Sequence, residues 1–276
     1  MCTSKTGWMA IGLTVALVSA APAQEPPEAL SITPQIGQPG KDVVWVPSPN
    51  ETIALMLDVA RVTPADYVID LGSGDGRTVI AAAQRGARAL GVEYDPGLVA
   101  LSRQEAVRAG VANRARFVQG DMYEADVSEA TVLALFLLTE NLSKLTPTFL
   151  ALRPGTRIVS NTFTIPDWNV DETVQRTDPC TSWCTALLYV VPAQVAGRWR
   201  METGVLALTQ DIQSVAGTWQ AGDRTLPIAE GTVRAERLTF TLDGVAYDGR
   251  VDGDTITGTR RNADGTTAEW TASRER

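Results

Sequence analysis

Between residues 42 and 163 the apolar positions follow two periods, and the switches between them predict the elements. Val68, Ile69 and Leu71 form a short apolar run, and comparable runs follow at 89–92, 116–119, 131–137 and 156–161, each short enough for a buried strand. Between them apolar residues recur at helical spacing, which predicts helices over 77–84, 96–109 and 141–152, with Gly110 closing the second. An earlier helix is expected from Ser48, Pro49 and Glu51, with the serine as N-cap, and from Ile53, Met56, Leu57 and Ala60 behind them. Strands alternating with helices at this spacing imply a doubly wound α/β sheet, parallel, with helices on both faces. Runs at 186–192 and 197–201 are expected to close that sheet as an antiparallel pair.

From about Gly204 the pattern shortens to period two. Runs at 203–210, 237–242, 245–251, 255–260 and 269–272 are separated by Asp243-Gly244, Asp252-Gly253 and Asp264-Gly265, dipeptides that favour hairpin turns. They predict a small antiparallel β-meander of five or six strands, a half-barrel with Trp219, Phe240, Tyr247 and Trp270 as its core. Such aromatics serve either to build a packing cap or to grip a ligand; a small β-unit needs them for its core in either case.

The N-terminal segment reads as an address. Lys5, a nearly apolar stretch over 8–18 and Ala21-Pro22-Ala23 before Gln24 fit a cleaved secretory signal. The apolar stretch is shorter than the roughly 20 residues a membrane helix needs, so no stable membrane insertion is expected once it is removed. The expected organisation is a signal over 1–23, a mobile proline-rich leader over 24–41, an α/β domain over 42–203 and a β-rich domain over 204–276, in a protein exported to the periplasm or cell envelope. Two cysteines, Cys180 and Cys184, fall in the mature part, either bridged or as two buried free thiols. The chain has no histidine, which excludes Ser-His-Asp hydrolysis, and two cysteines alone do not make a structural zinc site, so no metal is expected. With 24 basic against 32 acidic residues and a net charge of −8, the surface disfavours nucleic acid as a partner.

Candidate chemistry sits at the strand ends. The run VIDLGSGDGR at 68–77 places Asp70 at the end of a strand and Gly72, Ser73, Gly74 and Gly76 in the loop that opens the next helix. Glycine there permits positive φ and leaves the backbone open to a ligand. The spacing is G-x-G-x-G, whereas a dinucleotide fingerprint is G-x-G-x-x-G, and the difference favours S-adenosylmethionine over NAD. Glu93 ends the next strand, where a carboxylate accepts ribose hydroxyls, and Asp121 with Met122 follows the third, in reach of an adenine amino group. The competing reading is that glycine-acid loops end many parallel strands for turn geometry alone.

With VPSPNETIALML at 46–57, DLGSGDGRTVIAAA at 70–83, GVEYDPGLVALSRQEAVRAGV at 91–111, ATVLALFLLTENLSKLTP at 130–147 and LRPGTRIVSNTF at 152–163, the chain resembles the class I, Rossmann-like methyltransferases over roughly 43–200. Within them it is similar to a bacterial group related to the protein-lysine methyltransferases of the ATP synthase c-subunit. The resemblance implies S-adenosylmethionine as cofactor, a VPSP segment covering its pocket, and a protein or small-molecule methyl acceptor, lysine among them. Glu140, Asn141 and Asn161 are then the candidates to orient or deprotonate the acceptor, with Thr162 beside them and Trp168 as an aromatic face for a cationic one. Phe136 replaces the group's usual tyrosine, and Ser160-Asn161-Thr162-Phe163 its Ser-His-Asp-Phe, both where the acceptor sits. An exported S-adenosylmethionine-binding or envelope-interaction protein without turnover is the alternative.

Overall fold

The computed structural model describes Met1 and residues 33–275; the expected signal and the leader up to residue 32 otherwise lie outside the described residues. Helix α1 (Asn50–Val59) leads into β1 (Tyr67–Leu71), α2 (Arg77–Gln84), β2 (Arg88–Glu93), α3 (Pro96–Arg108), β3 (Ala115–Gln119), β4 (Val132–Leu135), α4 (Thr139–Leu150) and β5 (Arg157–Asn161). Strands β6 (Glu172–Gln175) and β7 (Thr185–Val190) complete a seven-stranded sheet of order β3-β2-β1-β4-β5-β7-β6. The first five strands are parallel, and β7 runs antiparallel to both neighbours.

Alternation along the strands divides the core between the two faces. Val68, Val132 and Ala134 face Ile53 and Leu57 of α1, Val79 of α2 and Val99 of α3. Ile69, Leu133 and Leu135 face Leu142, Leu145 and Phe149 of α4. Strand order reverses between β2 and β4 around β1, and the crevice beyond the carboxyl ends of such strands is where ligands bind in open α/β sheets.

The remaining strands are β8 (Gly197–Met201), β9 (Gly204–Asp211), β10 (Ser214–Ala221), β11 (Arg224–Arg234), β12 (Arg237–Leu242), β13 (Val245–Asp252), β14 (Thr255–Arg261) and β15 (Thr267–Arg274). They close into an eight-stranded antiparallel barrel through pairing of β15 with β8, in place of a half-barrel. Two expectations are thereby corrected. Gly197–Met201 belongs to the barrel, and the sheet's closing pair is β6 with β7. Strand β6, Glu-Thr-Val-Gln, has one apolar residue and lies on an edge, so it carries no hydrophobic signal. Ser48 does not cap α1; its hydroxyl accepts a hydrogen bond from Asn161 Nδ2 at 3.3 Å, and Pro49 occupies the cap position.

Trp199, Leu206, Phe240, Tyr247, Ile256 and Trp270 fill the barrel, with Phe240 stacked on Tyr247 at 4.7 Å between ring centroids. The barrel joins the sheet domain through Ala193, whose N–H donates to Ala235 and whose carbonyl accepts from Gln210, and through an ion pair of Arg234 with Asp171. No helix among the described residues is long and apolar enough to cross a membrane.

Candidate active site

A cavity of about 400 Å³ opens beyond the carboxyl ends of β1, β2 and β3, within the size range of small-molecule sites. Asp70, Gly72, Ser73, Gly74, Glu93, Asp121 and Met122 all line it. Gly76 lies outside the lining and serves the loop instead: its φ is +80°, and its N–H donates to the Ser73 carbonyl at 2.9 Å.

The glycine loop is fixed against β2. The N–H groups of Gly72 and Ser73 donate to the Val92 carbonyl at 2.8 and 3.1 Å, and the Gly74 N–H donates to Glu93 Oε2 at 2.8 Å. Glu93 Oε1 accepts from the Asp95 N–H at 2.9 Å, so one carboxylate ties the loop to the start of α3. Gly74 holds a φ of +56°, and a Cβ there would sit 2.7 Å from Trp45 Nε1. A Cβ on Gly91 would come within 2.5 Å of Ser73 Oγ, so glycine in β2 lets the loop lie down on the strand.

Each carboxylate is satisfied differently. Asp70 is buried at the tip of β1; desolvation first, then the charge of Glu93, pushes its carboxyl well above the ordinary range, against the hydrogen bond from Thr78. Asp121 is half-buried and ion-paired with Lys41, whose hydrogen bond holds the Asp121 carboxyl below its usual range with help from the Tyr123 N–H. The Lys41 ammonium, raised in turn by Asp121, also stands 5.1 Å from the centre of the Tyr94 ring. Ser73 Oγ is buried and has no protein partner among the described residues. Acid groups around a tight glycine loop, one of them disfavoured as an anion, together with an unpartnered hydroxyl, fit a cationic ligand that also carries hydroxyl and carboxylate groups.

The segment from Gln38 to Ser48 forms a whole wall of the cavity. The wall therefore begins before VPSP, and Gln38 to Lys41, the end of the expected leader, line the cavity with it. Gly37 and Trp45 hold the segment together through N–H donation from Gly37 to the Trp45 carbonyl at 2.9 Å. Lys41 and Trp45 had no periodic signal around them; the isolated tryptophan among valines was the only hint.

Glu140, Asn141 and Asn161 do not line the cavity. Glu140 is exposed in the first turn of α4. Asn141 is buried, its Nδ2 donating to Tyr123 Oη at 2.8 Å while its Oδ1 has no protein partner among the described residues. Asn161, also buried, accepts from Thr162 Oγ1 at 3.0 Å and donates to Ser48. Trp168 is buried edge-on against Tyr189 at 5.8 Å, a core residue and not a face for an acceptor, because the α4 side of the sheet needs its volume.

The family model described as the ANTKMT methyltransferase domain matches residues 70–172. A protein-lysine N-methyltransferase of Saccharolobus islandicus (strain REY15A) is 40% identical over 152 residues, which cover 54% of this chain and 94% of that protein. The chain belongs to the class I S-adenosylmethionine-dependent methyltransferases. This methyltransferase is also similar to a solved RNA methyltransferase from Salinibacter ruber in complex with S-adenosyl-L-homocysteine, at 43% identity and a TM-score of 0.51, covering 54% of this chain and 96% of that one. The Mus musculus lysine N-methyltransferase of the ATP synthase c-subunit is 37% identical over 107 residues, 38% of this methyltransferase and 43% of the mouse protein. These matches leave a large part of the methyltransferase unaccounted for, and the family model ends before the barrel begins. The cofactor is S-adenosylmethionine, and the residues that line the cavity fit it.

Proposed function

We propose that this methyltransferase modifies a lysine side chain of a protein outside the cytoplasm. The observation that carries the reading is the 40% identity to a protein-lysine N-methyltransferase over 94% of that protein. Bound cofactor supplies a methyl group on a sulfonium, a carbon already activated for displacement by an amine. The chain's own task is alignment and exclusion of water, which can supply about 7–11 kcal/mol. In this reading the glycine loop and Ser73 hold the cofactor's amino-acid end, Glu93 accepts the ribose hydroxyls through the lone pairs its backbone bonds leave free, and Asp121 with Met122 receives the adenine. Asn141 holds Tyr123, the residue after Met122, through its Nδ2, while Asn161 fixes the turn after β5 through Ser48 and Thr162. Glu140, exposed in the first turn of α4, adds negative charge that favours the approach of a lysine ammonium.

Export is supported by the N-terminal signal pattern and by the bridge between Cys180 and Cys184, which suits an oxidising compartment. The Salinibacter structure is named for RNA, but a chain with net charge −8 repels a phosphate backbone. The test is transfer of labelled methyl from S-adenosylmethionine by the mature chain to an envelope-protein fraction and, separately, to RNA. Methyl-lysine in the protein digest is expected, and it disappears when lysines are blocked by acetylation beforehand. Label in RNA alone, or transfer indifferent to acetylation, overturns the lysine reading.

A further inference from the structure

Three aromatic rings meet beside the cofactor cavity. Phe136, the residue after β4, lines the cavity and lies 6.0 Å from Phe163 and 5.2 Å from Trp183 between ring centroids; Phe163 and Trp183 are 5.6 Å apart. All three are only partly buried, unlike the other large aromatics of the sheet domain's core such as Trp168 and Tyr189. The patch is therefore continuous with the cavity at one side and open to solvent at the other.

Trp183 reaches this patch from the connection between β6 and β7, residues 176–184, and that connection is tied down at several points. Cys180 and Cys184 are bridged, with their Cα atoms 6.0 Å apart in an irregular loop. The Arg176 N–H donates to the Cys184 carbonyl at 3.0 Å, and Thr52 Oγ1 in α1 donates to the Trp183 carbonyl at 2.7 Å. Just beyond, the Thr162 N–H donates to the Thr185 carbonyl at 2.8 Å, tying the loop to the residue before Phe163. Trp183 holds a φ of +60° and Thr162 one of +65°, conformations that L residues rarely adopt and that persist where surrounding structure over-determines them. Two such residues in one patch, each carrying or adjoining a partly buried ring, mark a surface shaped for something other than folding.

We infer that Phe136, Phe163 and Trp183 form the subsite for the alkylammonium end of the acceptor, and that the Cys180–Cys184 bridge positions Trp183 in it. The inference rests on the lysine reading. Ring faces suit both the apolar lysine stem and the cationic head, and the affinity grows as methyl groups replace ammonium hydrogens and hydration weakens. Charge around the patch agrees: Arg176, the cation on this loop, is neutralised by Asp178 and Glu51, and those two acids are themselves more than half exposed. Phe136 is the contact between subsite and cavity, so a side chain lying along the three rings is directed toward the cofactor.

The test uses the mature full chain and two small probes of equal shape, choline and its uncharged isostere 3,3-dimethylbutan-1-ol, titrated in the presence of S-adenosyl-L-homocysteine. Choline is expected to bind at least fivefold more tightly than the alcohol. Trp183→Ala is expected to lose choline affinity by about five- to thirtyfold, Trp183→Phe to keep most of it, and the Cys180→Ser/Cys184→Ser double variant to fall between them. S-adenosylmethionine affinity serves as the fold control and stays unchanged in all three. In methyl transfer to envelope proteins, Trp183→Ala raises the acceptor KM more than it lowers kcat. Choline binding dependent on Trp183 without any methyl-lysine product leaves the subsite standing and sinks the lysine reading alone. Methyl-lysine formation with KM and choline binding unaffected by Trp183→Ala overturns the subsite and leaves the lysine reading intact. Loss by Trp183→Ala with no change in the double cysteine variant overturns the role of the bridge.

Discussion

Replacing Glu93 by glutamine isolates the electrostatic part of the cofactor site, because it changes the carboxylate's acceptor count and charge while keeping its shape. Ionised Glu93 offers about four acceptor lone pairs. Two are occupied, by the N–H groups of Gly74 at 2.8 Å and Asp95 at 2.9 Å. The other two are left for a ligand's hydroxyls. In Glu93→Gln one oxygen remains, and if it faces Gly74 the amide NH2 is set against the Asp95 N–H, donor against donor; flipping the amide moves the conflict to Gly74. A hydrogen bond to a charged group is worth about 1.5–3 kcal/mol, and the half-buried site lets water replace part of it, so the stability loss is about 1–2 kcal/mol. The ligand loses one acceptor and the charge on the other, so S-adenosylmethionine affinity falls about ten- to thirtyfold at 1.4 kcal/mol per decade. Urea unfolding gives the first quantity and calorimetric titration the second. Unchanged midpoint together with unchanged affinity would refute the reasoning, since both consequences follow from the same lone pairs.

Asp70→Asn tests the buried carboxyl through pH. Because the Asp70 carboxyl is raised, the folded state holds its proton more tightly than the unfolded chain, so wild-type stability falls as pH rises from the unfolded value near about 4 through the raised folded value, and is flat above it. The stability difference between wild type and Asp70→Asn in urea should follow that window, with the variant the more stable partner at its upper end; a pH-independent difference contradicts the assignment. Gly74→Val is expected to abolish cofactor binding in titration, since a side chain at a φ of +56° costs about 1–2 kcal/mol and its Cβ meets Trp45 at 2.7 Å. Trp270→Ala removes an edge-on contact to Phe240 and Tyr247 and should lower the barrel's stability by about 3–5 kcal/mol, with cofactor affinity unaltered below the transition; affinity falling in step with stability would make the barrel part of the site.

The parallel half of the sheet was legible because its central strands β1, β4 and β5 are buried on both faces and read as continuous apolar runs, so the period of the sequence is the period of the structure. Arg77–Gln84 follows the expected helix at both ends, and Gly110, at a φ of +71°, closes α3 where it was expected. The cofactor loop was legible because glycine spacing records a backbone requirement directly. In the barrel, strand β11 carries no clear period-two signal since it holds Pro227 and a bulge between Ala229 and Thr232, and the turns around Ile212 and Ala235 adopt positive φ without glycine. Strand β10 is bulged too, between Val215 and Thr218, and broken by Gly217. The wall made by Gln38 to Ser48 and the ring contacts of Trp183 depend on tertiary approach alone, over separations that no local pattern encodes.

The three carboxylates present a ligand with three different resistances, and the difference decides what binding must rearrange. At Glu93 nothing need move, because the backbone bonds leave lone pairs free. At Asp70 a cationic ligand relieves an unfavourable burial, so the group gains from occupancy. At Asp121 the ligand meets a formed ion pair, and Lys41 must yield or share. That pair is partly exposed, 39% on the lysine and 16% on the aspartate, and exposed pairs contribute little, so the displacement is cheap. Lys41 also ties Asp121 to the Gln38–Ser48 wall. Adenine entering at Asp121 would therefore loosen Lys41 while the cofactor's other end packs under Trp45. Lys41→Ala is then expected to bind S-adenosylmethionine at least as tightly as wild type, with a weaker dependence on salt. A tenfold loss of affinity in that variant would show that Lys41 holds the ligand and does not compete with it.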